Sequence, residues 1–167
     1  MRNVKWLLVP RKGNCVSKIK TGSKKRSTVV VVTRCFVRQP DQTFLLLKRS
    51  TSDRYNAGKW ECPGGKLEPG ENVIESLRQK VWKETSLLLR LSLPLICTGG
   101  SAVNGGSVIN STYIVLFGIG YNIKSGPVGL SAEHDQYAWL NYSQMLDHDL
   151  ATETRQAAIF LCDRLRE

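Results

Sequence analysis

The order of periodic segments predicts an α/β (α+β) fold, a mixed β-sheet with helices on both faces. Three features carry this expectation. Val29-Val30-Val31-Val32 is an unbroken β-branched run, the composition of a central strand covered on both sides. Residues 72–85 place Val73, Leu77 and Val81 four apart, with Ile74 beside them, which is the apolar stripe of a helix. The segments follow one another as strand pair, strand–loop–helix, strands and helix, an order that packs helices onto both sides of one sheet.

Taken in order, a short apolar run, Trp6-Leu7-Leu8-Val9, is a candidate extra strand ended by Pro10. Residues 18–27 read as a loop, rich in Lys, Ser and Gly. Strands are expected at 28–37 and 43–48, joined at the turn Gln39-Pro40-Asp41-Gln42 into a hairpin. A polar loop covers 49–57, and a short strand at 59–62 runs into Pro63-Gly64-Gly65. Beyond the helix, 87–96 is a strand candidate interrupted by Pro94. Residues 99–107 read as a flexible glycine-rich loop, 109–121 as a long strand and 137–140 as a short one. A closing helix at 152–166 puts Ala158, Leu161 and Leu165 on one stripe.

At 167 residues and 41% apolar content the chain has the size of one domain with a sizeable core. We expect a basic extension at 1–27 and the folded domain at 28–167. No apolar run approaches the ~20 residues of a membrane span, so no membrane partner is expected. The five cysteines contain no C-x-x-C pair, which points to free thiols in a reducing compartment. The charge of +10 is unevenly held. Residues 1–40 carry eleven Lys or Arg and no acid, whereas 41–167 carry thirteen Lys or Arg against fourteen Asp or Glu. Such a block can act as an RNA-binding arm or as an organelle-targeting segment. A cytoplasmic protein is expected, with a mitochondrial or other organellar one as the alternative.

The most informative stretch, residues 64–87, reads GGKLEPGENVIESLRQKVWKETSL. Gly65 is followed after five residues by Glu71, and seven residues later by Gln79-Lys80-Val81-Trp82-Lys83-Glu84-Thr85-Ser86-Leu87. This loop–helix spacing resembles the Nudix box, in which the second half reads Arg-Glu-aliphatic-x-Glu-Glu-x-Gly-aliphatic. The lead-in, Gly58-Lys59-Trp60-Glu61-Cys62-Pro63-Gly64-Gly65-Lys66, is similar to that of nucleotide-sanitising Nudix enzymes. The resemblance implies an α/β/α sandwich and cleavage of nucleoside diphosphate-linked substrates, nucleoside triphosphates among them. Gly64 and Glu71 would be structural positions of the box. Gly65, through its carbonyl, with Glu84 and Glu133 would hold Mg²⁺ or Mn²⁺, and Glu84 and Glu133 would also be the catalytic carboxylates.

The sequence departs from the family where the chemistry resides. Gln79 stands for Arg, Lys80 for the first Glu, Lys83 for one of the Glu pair and Ser86 for Gly. Lys80, Lys83 and Glu84, at i, i+3 and i+4, converge on one helix face. An ammonium ~4 Å from a divalent ion would repel it by roughly 8 kcal/mol at an effective dielectric of ~20, an upper figure because the stems can swing outward. We therefore expect impaired catalysis, with Lys66, Lys80 and Lys83 as phosphate-binding cations. The alternative is a non-catalytic nucleotide- or RNA-binding module on the same fold. Glu61 is expected to pair with a lysine, Glu75 to be solvated, Trp82 to pack, and His134 to be structural or exposed. The glycines before Lys66 lack Walker-loop spacing, and Gly99-Gly100 lacks dinucleotide-binding spacing.

Overall fold

The computed structural model describes residues 28–104, 107–123 and 126–165. The expected strand at 6–9, the loop at 18–27 and the basic extension lie outside the described residues. The elements are β1 (Thr28–Arg38), β2 (Phe44–Arg49), β3 (Trp60–Glu61), β4 (Gly64–Lys66), α1 (Val73–Thr85), β5 (Leu89–Asn104), β6 (Ser107–Asn122), β7 (His134–Leu140), α2 (Tyr142–Asp147) and α3 (Thr152–Leu165).

Seven strands form one sheet, with β3-β2-β1-β6-β5 in order, β4 on β1 and β7 on β2. The expected hairpin exists at its tip, where Arg38 pairs with Phe44 and Gln42 takes a left-handed φ of 69° in the turn. Beyond the tip the two strands find other neighbours. β1 runs parallel to β6 from Thr28–Ser111 to Arg38–Tyr121, and β2 is antiparallel to β3 and β7. The parallel pair inside an otherwise antiparallel set makes the sheet mixed.

Alternation along β1 and β2 sorts the core into two layers. Cys35, Val37, Leu45 and Leu47 pack with Leu77 and Val81 of α1. Phe36, Phe44 and Leu46 face the other way and pack with Met145 of α2 and Ala157, Ala158 and Leu161 of α3. Covered on both faces, β2 is apolar at successive positions from Phe44 to Leu47, whereas the expected buried run of β1 is corrected: Val29 is exposed, Val30 to Val32 are half-buried, and the buried stretch is Thr33 to Val37.

Helix α1 is capped by Asn72, whose side-chain oxygen accepts the Ile74 and Glu75 amides at 3.0 and 3.2 Å. It ends at Ser86, which adopts φ 60° and ψ 13° while its amide donates to the Trp82 carbonyl at 2.7 Å. A left-handed residue at a helix end is ordinarily glycine, and a β-carbon there costs roughly 1 kcal/mol. Ser86→Gly is therefore expected to raise the unfolding free energy by up to about 1 kcal/mol, measured by urea denaturation.

Five departures from expectation follow. The loop at 99–107 is strand through Asn104: Gly99 pairs with Ile114, Gly100 with Tyr113 and Asn104 with Ser107. The β-rich run of β6 supplies a template strong enough to pair with glycines. Pro94 lies within a register irregularity between Ser92 and Ile96, where a residue without an amide hydrogen takes no ladder bond. The turn at Gly64 is a three-residue strand, β4, and β7 begins at His134 instead of 137. A short helix not anticipated, α2, is announced by a capping box in which Asn141 and Gln144 bond each other's backbone amides. Trp82, expected to pack, is 53% exposed.

Candidate functional site

The site is built where β1, β4 and the last turns of α1 meet. β4 lies antiparallel to β1, pairing Gly65 with Thr33 and Gly64 with Arg34. Gly64 has φ +148°, and a β-carbon on it would stand 2.0 Å from the Thr33 carbonyl oxygen. This close approach lets the chain turn from Pro63 into β4 without lifting off β1. The segment after β4 then leads into α1, which returns across the same strands.

Under the site lies a buried charge cluster. Glu61 is wholly buried. Arg34 donates Nη1 and Nη2 to its two carboxylate oxygens at 2.9 and 2.8 Å, and Arg49 donates Nη1 to Oε1 at 2.9 Å. His134 Nε2 stands 3.5 Å from the same Oε1. Arg49 also pairs with Asp53 and reaches Glu133 Oε2 at 3.5 Å. Burial alone would raise the Glu61 carboxyl, but the charges of Arg34 and Arg49, with hydrogen bonding from His134 and Arg49, prevail and hold it down to about 2. Glu61 is thus paired with two arginines rather than with a lysine, and His134 is structural and buried. Glu75 is exposed and pairs with Arg78 at 2.8 Å.

Above this cluster opens a cleft of about 350 Å³, lined by Val32, Arg34, Arg49, Gly64, Gly65, Lys66, Lys80, Lys83, Glu84 and Glu133. All the sequence-predicted site residues except Glu71 meet here. Five cationic side chains and two carboxylates line the cleft, and of the cations Lys83 alone has no acidic partner among the described residues. Glu84 Oε2 accepts the Gly64 amide at 2.9 Å, and burial pushes its carboxyl up to about 7 against the pull of Arg34 and that amide. Glu133 is 62% exposed at its side chain and ion-paired to Arg49.

Glu71 sits to one side and organises the loop. Its Oε2 accepts the Glu68 amide at 2.9 Å, the Ser76 hydroxyl at 2.7 Å and the Lys80 ammonium at 3.0 Å. These bonds hold its carboxyl down at about 2. Lys80 also donates to Ser76 Oγ at 2.7 Å. The Lys80 stem lies against Gly65, where an added β-carbon would come 3.2 Å from Cδ. Lys83 is exposed, and its ammonium has no hydrogen-bond or ion-pair partner among the described residues. Lys66 is exposed and 3.4 Å from Glu68.

Sequence reasoning missed Arg34 and Arg49 as site residues. Arg34 had a signal: it interrupts an otherwise apolar strand, and a charge in a doubly covered strand needs a partner. Arg49 had none beyond its place at the end of β2.

The donors present fit Mg²⁺ or Mn²⁺ poorly. Such cations seek six oxygen ligands, commonly anionic, in a compact shell. Here only two carboxylates line the cleft, Glu84 with Oε2 on the Gly64 amide and Glu133 with Oε2 3.5 Å from Arg49, beside the Gly65 carbonyl, which also accepts the Thr33 hydroxyl at 3.2 Å. The two other helix positions facing the cleft are the ammonium-bearing Lys80 and Lys83. Among the described residues no three His, Cys, Asp or Glu side chains are grouped to hold a metal.

The NUDIX domain family matches residues 28–160. A nucleoside triphosphatase, NudI, of Escherichia coli O1:K1 is 29% identical over 129 residues, covering 73% of this chain and 89% of its own length. The MutT protein from Methanosarcina mazei Go1 superposes with a TM-score of 0.71 at 25% identity, over 86% of this chain and 99% of that one. The NUDIX domain of Shewanella oneidensis NrtR, solved with ADP ribose, superposes with a TM-score of 0.62 at 17% identity, over 88% and 94% respectively, a likeness of fold. Among the described residues no helix is long and apolar enough to cross a membrane.

Proposed function

Since the chain belongs to the Nudix family, we propose that its cleft takes nucleoside diphosphate-linked molecules, nucleoside triphosphates foremost, and cleaves them with impaired efficiency. The observation that carries this reading is the cleft itself, three lysines over a buried Arg34–Glu61–Arg49 base, two of them on the helix face where the family's box carries carboxylates. The 29% identical nucleoside triphosphatase and the ADP-ribose-bound domain of like fold support a ligand of this class. Residues 28–167 form the domain that binds it.

Phosphates would be held by Lys66 and Lys83, with Lys80 on the cleft wall. Glu84, its carboxyl held near neutrality, and the exposed Glu133 are the groups available to move a proton in any residual hydrolysis. Lys83 would oppose the entry of a divalent ion, whereas the charge of Lys80 is already met by Glu71. The eleven basic residues of positions 1–40 would add a sequence-independent attraction to RNA. The free, buried thiols of Cys35, Cys62 and Cys162 suit a reducing compartment such as the cytoplasm.

Pyrophosphate and phosphate release from a nucleotide panel, in Mg²⁺ and in Mn²⁺, tests this reading. The protein is expected to run at least about 100-fold slower than its Lys80→Glu/Lys83→Glu variant, since metal-assisted charge neutralisation is worth several kcal/mol. Equal, rapid turnover by both proteins overturns the claim of impairment.

A further inference from the structure

Lys80 and Lys83 occupy equivalent-looking places on α1, and the structure separates them. The Lys80 ammonium is consumed: Glu71 Oε2 at 3.0 Å and Ser76 Oγ at 2.7 Å take two of its three hydrogens, and only 19% of its side chain is exposed. The same Glu71 Oε2 also accepts the Glu68 amide and the Ser76 hydroxyl. Lys80 thus closes a loop-to-helix clamp, and its positive charge is neutralised inside it. Lys83, one turn on, lines the same cleft with an ammonium that has no partner among the described residues.

The other cations lining the cleft already have carboxylate partners, which leaves Lys83 as the unpaired ammonium among the described residues. Arg34 and Arg49 are shared around Glu61, and both Nε atoms are buried without a hydrogen-bond partner. Glu84 and Glu133 each have a donor already, the Gly64 amide and Arg49. A divalent ion entering here would share each carboxylate with its present donor and would face the unpaired ammonium of Lys83. A di- or triphosphate meets no such opposition, because Lys83 can donate up to three hydrogens to its oxygens as they arrive.

We propose that this cleft binds the polyphosphate of a nucleotide without a divalent cation, with Lys83 supplying the charge a metal would and Lys80 serving only as the clamp on the loop. This rests on the nucleotide reading above and goes beyond it in assigning metal independence and dividing the two lysines. The two roles make opposite demands on the same experiments.

The test is titration calorimetry of the full chain with ATP and with inorganic pyrophosphate, each in EDTA and in Mg²⁺, beside thermal unfolding. Affinity is expected to be the same within about threefold in EDTA and in Mg²⁺. Lys83→Met is expected to lose about tenfold or more in affinity, the range of one charge-assisted contact, with an unchanged melting temperature. Lys80→Met is expected to keep affinity within about threefold and to melt several degrees lower. Binding that vanishes in EDTA overturns the inference and leaves the nucleotide reading standing. A tenfold loss in Lys80→Met with none in Lys83→Met overturns the division of roles. No binding of either probe in either condition overturns the nucleotide reading and this inference together.

Discussion

Gly64→Ala is expected to leave little folded protein. A β-carbon at this position would stand 2.0 Å from the Thr33 carbonyl oxygen and 2.8 Å from the Arg34 α-carbon, and both obstacles are backbone. Neither can retreat. Thr33 and Arg34 pair with Leu116 and Phe117 of β6 on their other edge, so moving them breaks the central ladder. The glycine's φ of +148° adds a conformational penalty of its own for any L-residue. Together these cost about 4 kcal/mol or more, a large share of the ~5–15 kcal/mol by which a domain of this size is stable. Chemical denaturation followed by tryptophan fluorescence measures it. A variant within about 1 kcal/mol of the parent protein would show that β4 can lift away from β1.

Glu61→Gln should be the next most damaging change. The amide nearly matches the carboxylate in shape, so packing is kept and only the charge is lost. That charge offsets two arginines, of which Arg34 is 8% exposed at its side chain, and removing one partner of a buried pair costs about 3–5 kcal/mol. The pH dependence identifies the cause. Glu61 is held down to about 2 in the folded state from an ordinary value of 4.5. Its contribution is therefore fully present above about pH 4.5 and is lost as the pH falls through about 2, where the folded protein also takes up the proton. Linkage over that interval amounts to about 3 kcal/mol, in line with the cost of the substitution. The stability gap between parent and variant should accordingly be widest at neutral pH and narrow toward pH 2. Glu71 is also held at about 2, so the variant should retain some acid sensitivity in the same window. A gap that stays constant from pH 7 to pH 2 would assign the damage to packing instead.

What could be read beforehand follows from range along the chain. The helix α1, the strand runs of β1 and β2 and the closing helix are set by local periodicity, and the structure has them within a residue or two. Gly99-Gly100 misled because strand formation there is decided by a partner, Tyr113-Ile114, that local composition does not contain. The convergence of Lys80, Lys83 and Glu84 on the cleft was legible because their spacing along one helix is itself geometry. The Arg34–Glu61–Arg49 cluster was not, since its members lie on three strands and the partnership depends on register. The fate of Lys80 was illegible for a similar reason. Its spacing from Lys83 places both on the cleft, but only the fold of the 67–72 loop brings Glu71 within reach of one and not the other.

The wholly buried carboxylate of Glu61 has a bearing on how such a protein ages. A lineage that had ceased to hydrolyse anything would still be under pressure to keep Arg34 and Arg49, because losing either would leave a buried anion short of a partner. Folding alone thus preserves the positively charged floor of the cleft through any amount of drift at the helix above it. Such a scaffold hands its descendants a ready seat for phosphates long after the original chemistry has gone, and new ligands of that kind can be recruited by changes at Lys83 and its neighbours alone.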